Sequence, residues 1–187
     1  MLSRLVIVLP GGGYGPQGPA LRFPVLALEQ RGLCESMVVT YPSIPAGTAD
    51  TGTLLTDAIA EQVLPTLHGT SADEVVFVAK SLGTRALAGL CSRMPSDRSM
   101  AALWLTPLFG VPEVRDRAAA SDIRSLIVAG SADPYHDQFG FDSVAAALDA
   151  STLLVPDADH ALEIPGDVQA TIRAMESLSR AVLEFTA

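Results

Sequence analysis

The sequence predicts an α/β protein: a doubly wound, mostly parallel six-stranded sheet flanked by helices. Two observations predict it. Six short β-branched or aliphatic runs recur along the chain, each followed by a turn signal and usually by a helical pattern. The runs are continuously apolar rather than alternating, which marks strands covered on both faces, as in a parallel sheet between two helix layers.

In order, the predicted strands are residues 5–9 (LVIVL), 37–41 (MVVTY), 75–79 (VVFVA), 100–106 (MAALWLT), 125–129 (SLIVA) and 152–155 (TLLV). Helical patterns fill residues 20–30, 54–67, 84–93, 141–148 and 168–185. Gly32 and Gly69 are placed to stop the first two, and Asp167 after Pro165-Gly166 to cap the last. Residues 107–123 break the strict alternation. They are polar, arginine-bearing and alanine-rich, with room for one short helix but not for a second domain. A chain of 187 residues without linker, repeat or low-complexity segment is expected to fold as one domain over residues 1–187.

Composition excludes several function classes. At 49% apolar and 18% charged, the chain is too apolar for disorder. Twelve basic against 21 acidic residues give a net charge of −9, which argues against a nucleic-acid or anionic-membrane binder. Cys34 and Cys91 fit neither a disulfide framework nor a metal cluster and are expected as buried free thiols. The run at residues 5–9 ends at Pro10 and a glycine cluster, unlike a secretory leader, and nothing approaches 18 unbroken apolar residues. A cytoplasmic protein without a membrane partner is expected.

In a doubly wound sheet, ligands sit beyond the carboxyl ends of the strands. After the third strand the chain reads AKSLGT and then turns helical, a G-x-S-x-G nucleophile elbow with Ala79 in the first glycine's place. Small residues two positions either side of Ser81 are needed because the strand-to-helix turn brings backbones together. The bland alternative is a serine that caps the helix. A serine hydroxyl needs a base, and the base an orienting carboxylate. Asp133 follows the fifth strand in GSADP, and His160 follows the sixth in DADH. Each has an ordinary reading too, Asp133 as a turn residue before proline and His160 as an exposed loop histidine. Among the other histidines, His68 sits at a helix end, and His136 shares a loop with the acid, where it could line the pocket.

The oxyanion donors are expected from the N–H of Leu82, the residue after the nucleophile, and from the PGGGYG loop after the first strand. Gly12 is the first choice there and Gly13 the second. Tyr14, Leu108, Phe109 and Tyr135 are the expected substrate walls. Lys80, the single lysine, lies beside the nucleophile. It is expected to pack its stem against a neighbour while its charge reaches solvent, so that Lys80→Met stays active.

With these motifs in order, the chain resembles the α/β-hydrolase superfamily and is similar to small dienelactone-hydrolase-like proteins. The resemblance spans essentially the whole chain and implies a lidless serine hydrolase acting on an ester or comparably activated small acyl compound, with no cofactor and no metal. The dienelactone enzymes use a cysteine where this chain has Ser81, so their substrate is not carried over. Thioesterases and acyltransferases share such a triad. Two rivals come from other classes. GYGPQG spells a dinucleotide fingerprint, but the second strand ends without the acid that would hold a ribose, and Pro16 removes an N–H. A hydrolase fold kept as a non-catalytic scaffold is the other, motivated by Ala79 and by proline in place of the histidine that commonly precedes the glycines.

Overall fold

A computed structural model describes residues 3–42, 51–95 and 98–187, with the backbone but not the side chain of Thr51. Six strands, β1 (Ser3–Leu9), β2 (Leu33–Val38), β3 (Glu74–Lys80), β4 (Ser99–Leu105), β5 (Arg124–Gly130) and β6 (Ser151–Val155), form one sheet. Their order is β2-β1-β3-β4-β5-β6, and every neighbouring pair is parallel. Among the described residues the helices are α1 (Pro19–Glu29), α2 (Thr51–Gly69), α3 (Leu82–Leu90), α4 (Pro112–Ala119) and α5 (Gln138–Leu148) between strands and α6 (Val168–Phe185) after β6, with a 3₁₀ turn at Cys91–Arg93.

Strand alternation divides the core in two. Leu5, Ile7, Leu9, Val75 and Phe77 face α2, α3, α4 and α5, where Ile59, Leu87, Val114 and Val144 meet them. Val6, Val8, Val76 and Val78 face the other way, onto Leu21, Val25 and Leu28 of α1 and Leu178 and Val182 of α6. The central strand β3 is buried along its whole length, which is what its unbroken VVFVA run requires. Asp167 caps α6 by accepting from the Ala170 N–H at 2.9 Å, as expected.

One strand lies elsewhere than the sequence places it. β2 spans Leu33–Val38, not residues 37–41, with Ser3 opposite Leu33 and Val8 opposite Val38. As an edge strand it exposes Leu33, Glu35, Ser36 and Val38, so it lacks the apolar run that marks a strand covered on both faces. Residues 107–123 supply the single short helix α4. Val114 and Ala118 bury that helix against the core, so it is a crossover of the sheet and not a lid. Cys34 and Cys91 are free but only half-buried, a correction to the expected burial. Each belongs to the rim of a core and not its interior.

The chain leaves β1 in one direction to β2 and crosses back in the other to β3, so the order reverses between β1 and β3. A crevice opens at the carboxyl ends of such a pair. The glycine loop follows β1 and Ser81 follows β3, so the two segments face one another there.

Candidate active site

Ser81 stands between β3 and α3 with φ 50° and ψ −111°, a backbone conformation that costs a non-glycine residue of order 1–3 kcal/mol. Close packing around it sustains the turn. A Cβ added at Gly83 would run into the Leu9 carbonyl, so α3 leans directly on the end of β1. A Cβ at Gly11 would lie 3.5 Å from the Ser81 Cβ, which brings the glycine loop against the serine. Ala79, the departure from the elbow pattern, is fully buried and its methyl joins the core. Ser81 N–H donates to the Leu105 carbonyl at 3.0 Å and fixes the elbow to β4.

Although Ser81 occupies the N-cap position of α3, its side chain makes no capping hydrogen bond. Its Oγ lies instead 2.7 Å from His160 Nε2. His160 Nδ1 is 2.7 Å from Asp133 Oδ2, and that carboxylate is 2% exposed. The other carboxylate oxygen accepts from the Tyr135 N–H at 2.8 Å. Asp133 is thus both the turn residue and the partner of His160. The structure brings these three expected side chains into one hydrogen-bonded row.

The loops that carry His160 and Asp133 are tied together. Ala132 N–H donates to the Ala158 carbonyl at 3.0 Å, and Asp157 N–H to Ser131 Oγ at 2.8 Å. Asp159 turns the histidine loop by accepting from the N–H groups of Ala161 and Glu163 at 2.8 and 3.0 Å. A Cβ at Gly130 would lie 2.8 Å from the Asp159 carbonyl and closer still to that of Ala158, so β5 must end in glycine for this loop to pass. Tyr41 steadies the other wall, donating its hydroxyl to the Pro10 carbonyl at 2.6 Å.

Neither a protein-family model nor a curated protein matches the chain. Solved structures do. A protein from Xanthomonas campestris described as a hydrolase of the α/β superfamily matches 98% of this chain over 98% of its own, at 21% identity and TM-score 0.69. Est1E from Butyrivibrio proteoclasticus, solved with ferulic acid bound, matches 99% of this chain over 88% of its own, at 12% identity and TM-score 0.76. An α-β serine hydrolase homologue from Coxiella burnetii covers 95% of this chain and 84% of its own, at 15% identity and TM-score 0.71. The chain has the α/β-hydrolase fold.

Within this α/β-hydrolase fold, a surface cleft of about 270 Å³ opens over the serine. Gly11, Gly12, Gly13, Tyr14, Lys80, Ser81 and the 159–161 loop line it. Gly12 and Gly13 are exposed on its rim, and a Cβ on Gly12 would sit 3.8 Å from the Leu82 side chain. Of the expected walls, Tyr14 lines the cleft and accepts from the Ala20 N–H through its hydroxyl at 3.0 Å. Tyr135 is not among the lining residues; it presents its ring edge-on to His160 with centroids 4.9 Å apart and is largely exposed. Phe109 and Leu108 do not line the cleft. Phe109 is 1% exposed and packs on Trp104, while the Leu108 N–H donates to Thr84 Oγ1 at 3.2 Å. Both follow β4, and the chain turns Phe109 into the core while Leu108 stays half-buried. His136 turns away as well, to Gln138 and the Phe141 ring.

Lys80 corrects the sequence reading most. Its charge does not reach solvent, because the side chain is 1% exposed. Nζ donates to the His160 carbonyl at 2.6 Å and to Thr106 Oγ1 at 3.0 Å, and lies 4.5 Å from the centroid of the Tyr14 ring. Burial pushes the amine down to about 8, against the pull of Asp133 and Asp159, which favour its charged form. Being the single lysine in the chain and beside Ser81 were the signals that could have found it.

Proposed function

We propose that the protein is a serine hydrolase that cleaves an ester or a comparably activated acyl compound. The row Ser81 Oγ–His160 Nε2–His160 Nδ1–Asp133 Oδ2, with 2.7 Å at both contacts, carries this reading. An ionised carboxylate can only accept, so a neutral imidazole places its proton on Nδ1 and leaves Nε2 free to accept from the serine hydroxyl. Ser81 then attacks the acyl carbon while Nε2 takes its proton, and the imidazolium that forms is stabilised by Asp133. That proton passes to the leaving alkoxide. Water, deprotonated by the same Nε2, releases the acyl group from Ser81. The N–H groups of Leu82 and Gly12 are assigned to the developing oxyanion, supported by the nearness of the glycine loop to Leu82 and Ser81.

The α/β-hydrolase fold and neighbours such as Est1E, solved with ferulic acid, and a thioesterase domain from the curacin biosynthetic pathway support an acyl substrate. The cleft is open, and besides its glycines only Tyr14 and Ala161 among its lining residues bring an apolar side chain, which favours small or short acyl groups. A fluorophosphonate probe tests the chemistry. It should label wild-type protein and not Ser81→Ala, and p-nitrophenyl acetate turnover should vanish with the label. Folded wild-type protein that neither labels nor turns over any ester from acetate to palmitate would leave a scaffold.

A further inference from the structure

Lys80 is a buried amine that the proposed chemistry does not use, and its contacts reach several segments around Ser81. An ammonium has three N–H bonds, and here two oxygens and one aromatic face surround it: the His160 carbonyl, Thr106 Oγ1 and Tyr14. Those partners sit on the loop after β6, the end of β4 and the glycine loop after β1. Lys80 itself ends β3, one residue before Ser81. A single amine therefore ties together the three segments that line the cleft, the glycine loop, the β3–α3 elbow and the 159–161 loop, and fastens them to the end of β4. Thr106, one of its partners, is buried and held at φ 42°, a left-handed conformation that the Thr106 N–H bond to Val128 O at 2.7 Å helps to hold.

We infer that Lys80 is a positioning residue: by gripping the His160 carbonyl and the Tyr14 face, its ammonium sets where the imidazole and the glycine loop stand relative to Ser81 Oγ. This role rests on the proposed hydrolase chemistry. The grip acts on the backbone of the base's own residue, so releasing it lets Nε2 drift from Oγ without touching Asp133. Desolvation makes the charge costly to keep where an apolar side chain could pack. The groups that face it are Asp133 from the loop after β5, Asp159 and His160 from the loop after β6, Tyr14 from the glycine loop and Thr106 from the end of β4. With its amine pushed down to about 8, Lys80 loses its proton to solvent in mildly alkaline solution. The neutral amine keeps two N–H bonds but gives up its attraction to the Tyr14 ring.

The test compares wild type, Lys80→Met and Lys80→Arg for p-nitrophenyl acetate turnover between pH 6 and 10, with a thermal melt of each. Lys80→Met should fold and lose about 10- to 100-fold in kcat, because a displacement of the order of 1 Å is enough for that. Its KM should move by less than about threefold, as expected of a side chain whose amine is turned onto His160, Thr106 and Tyr14 and not toward the substrate. Wild-type kcat should fall above about pH 8, and Lys80→Arg should recover most of the rate and remove that alkaline fall. A second readout needs no turnover and no arginine variant. The proton between His160 Nδ1 and Asp133 should give a sharp low-field NMR signal in wild type and a broadened or missing one in Lys80→Met. Wild-type kcat, pH profile and NMR signal in Lys80→Met would overturn the role. If wild type itself neither turns over nor labels, the hydrolase reading fails, and the NMR comparison still decides whether Lys80 holds His160.

Discussion

Replacing Asp133 by asparagine keeps the shape of the site and changes one proton. Asp133 Oδ1 accepts from the Tyr135 N–H at 2.8 Å and Oδ2 meets His160 Nδ1 at 2.7 Å. Asparagine has one acceptor oxygen, and the backbone N–H of Tyr135 requires it, so the amide NH₂ turns toward Nδ1. The imidazole must then accept at Nδ1 and carry its proton on Nε2, where it faces Ser81 Oγ at 2.7 Å as a donor. In that tautomer it cannot take the serine proton. The loss in kcat should be of order 10⁴-fold, about 5.5 kcal/mol of transition-state stabilisation. Volume and the Tyr135 bond are kept, so stability should change by no more than about 1 kcal/mol. Stopped-flow or plate-based p-nitrophenyl acetate hydrolysis gives kcat, and a urea titration gives stability. Activity in Asp133→Asn within tenfold of wild type, with Ser81→Ala dead, would show that His160 works without Asp133 and refute the tautomer argument.

Other expectations follow from single contacts. Gly83→Ala drives a methyl into the Leu9 carbonyl and should cost about 2 kcal/mol or more in a urea titration, with loss of activity as α3 is pushed off β1. Lys80 holds its proton to about 10.5 unfolded but only to about 8 folded, so between these pH values the unfolded chain binds more protons and stability rises with pH. The gain should approach about 3 kcal/mol from pH 7 to pH 10.5 relative to Lys80→Met, and parallel stability curves for the two proteins would remove it. With about 0.8 kcal/mol available per buried methylene, an open cleft should stop rewarding chain length after a few carbons. Acetate or butyrate esters should therefore exceed palmitate in kcat/KM, and a steady rise through C16 would reveal an acyl channel.

The parts that the sequence by itself determined are those set by local chemistry. The short, β-branched run VVFVA reads as a strand covered on both faces, and it lies in β3, buried throughout. AKSLGT forces a tight strand-to-helix turn, and Ser81 sits in it at φ 50°. Asp133 and His160 were legible because each lies in the short loop after an apolar run, at the sheet edge where ligands sit in such folds. What only the tertiary structure decided depends on partners far along the chain. The edge strand β2 pairs with β1 on one side alone, so Glu35 and Ser36 are tolerated there and no apolar run announces it. Phe109 follows a strand as Tyr135 does, yet it turns into the core because Trp104 and the close approach of Gly140 give it a place there. Lys80 is the clearest case. A lysine is normally left in water because its charge is costly to desolvate, and what holds this one inside is the carbonyl of His160, 80 residues away. No spacing within the chain shows that the two meet; folding the sheet brings them together.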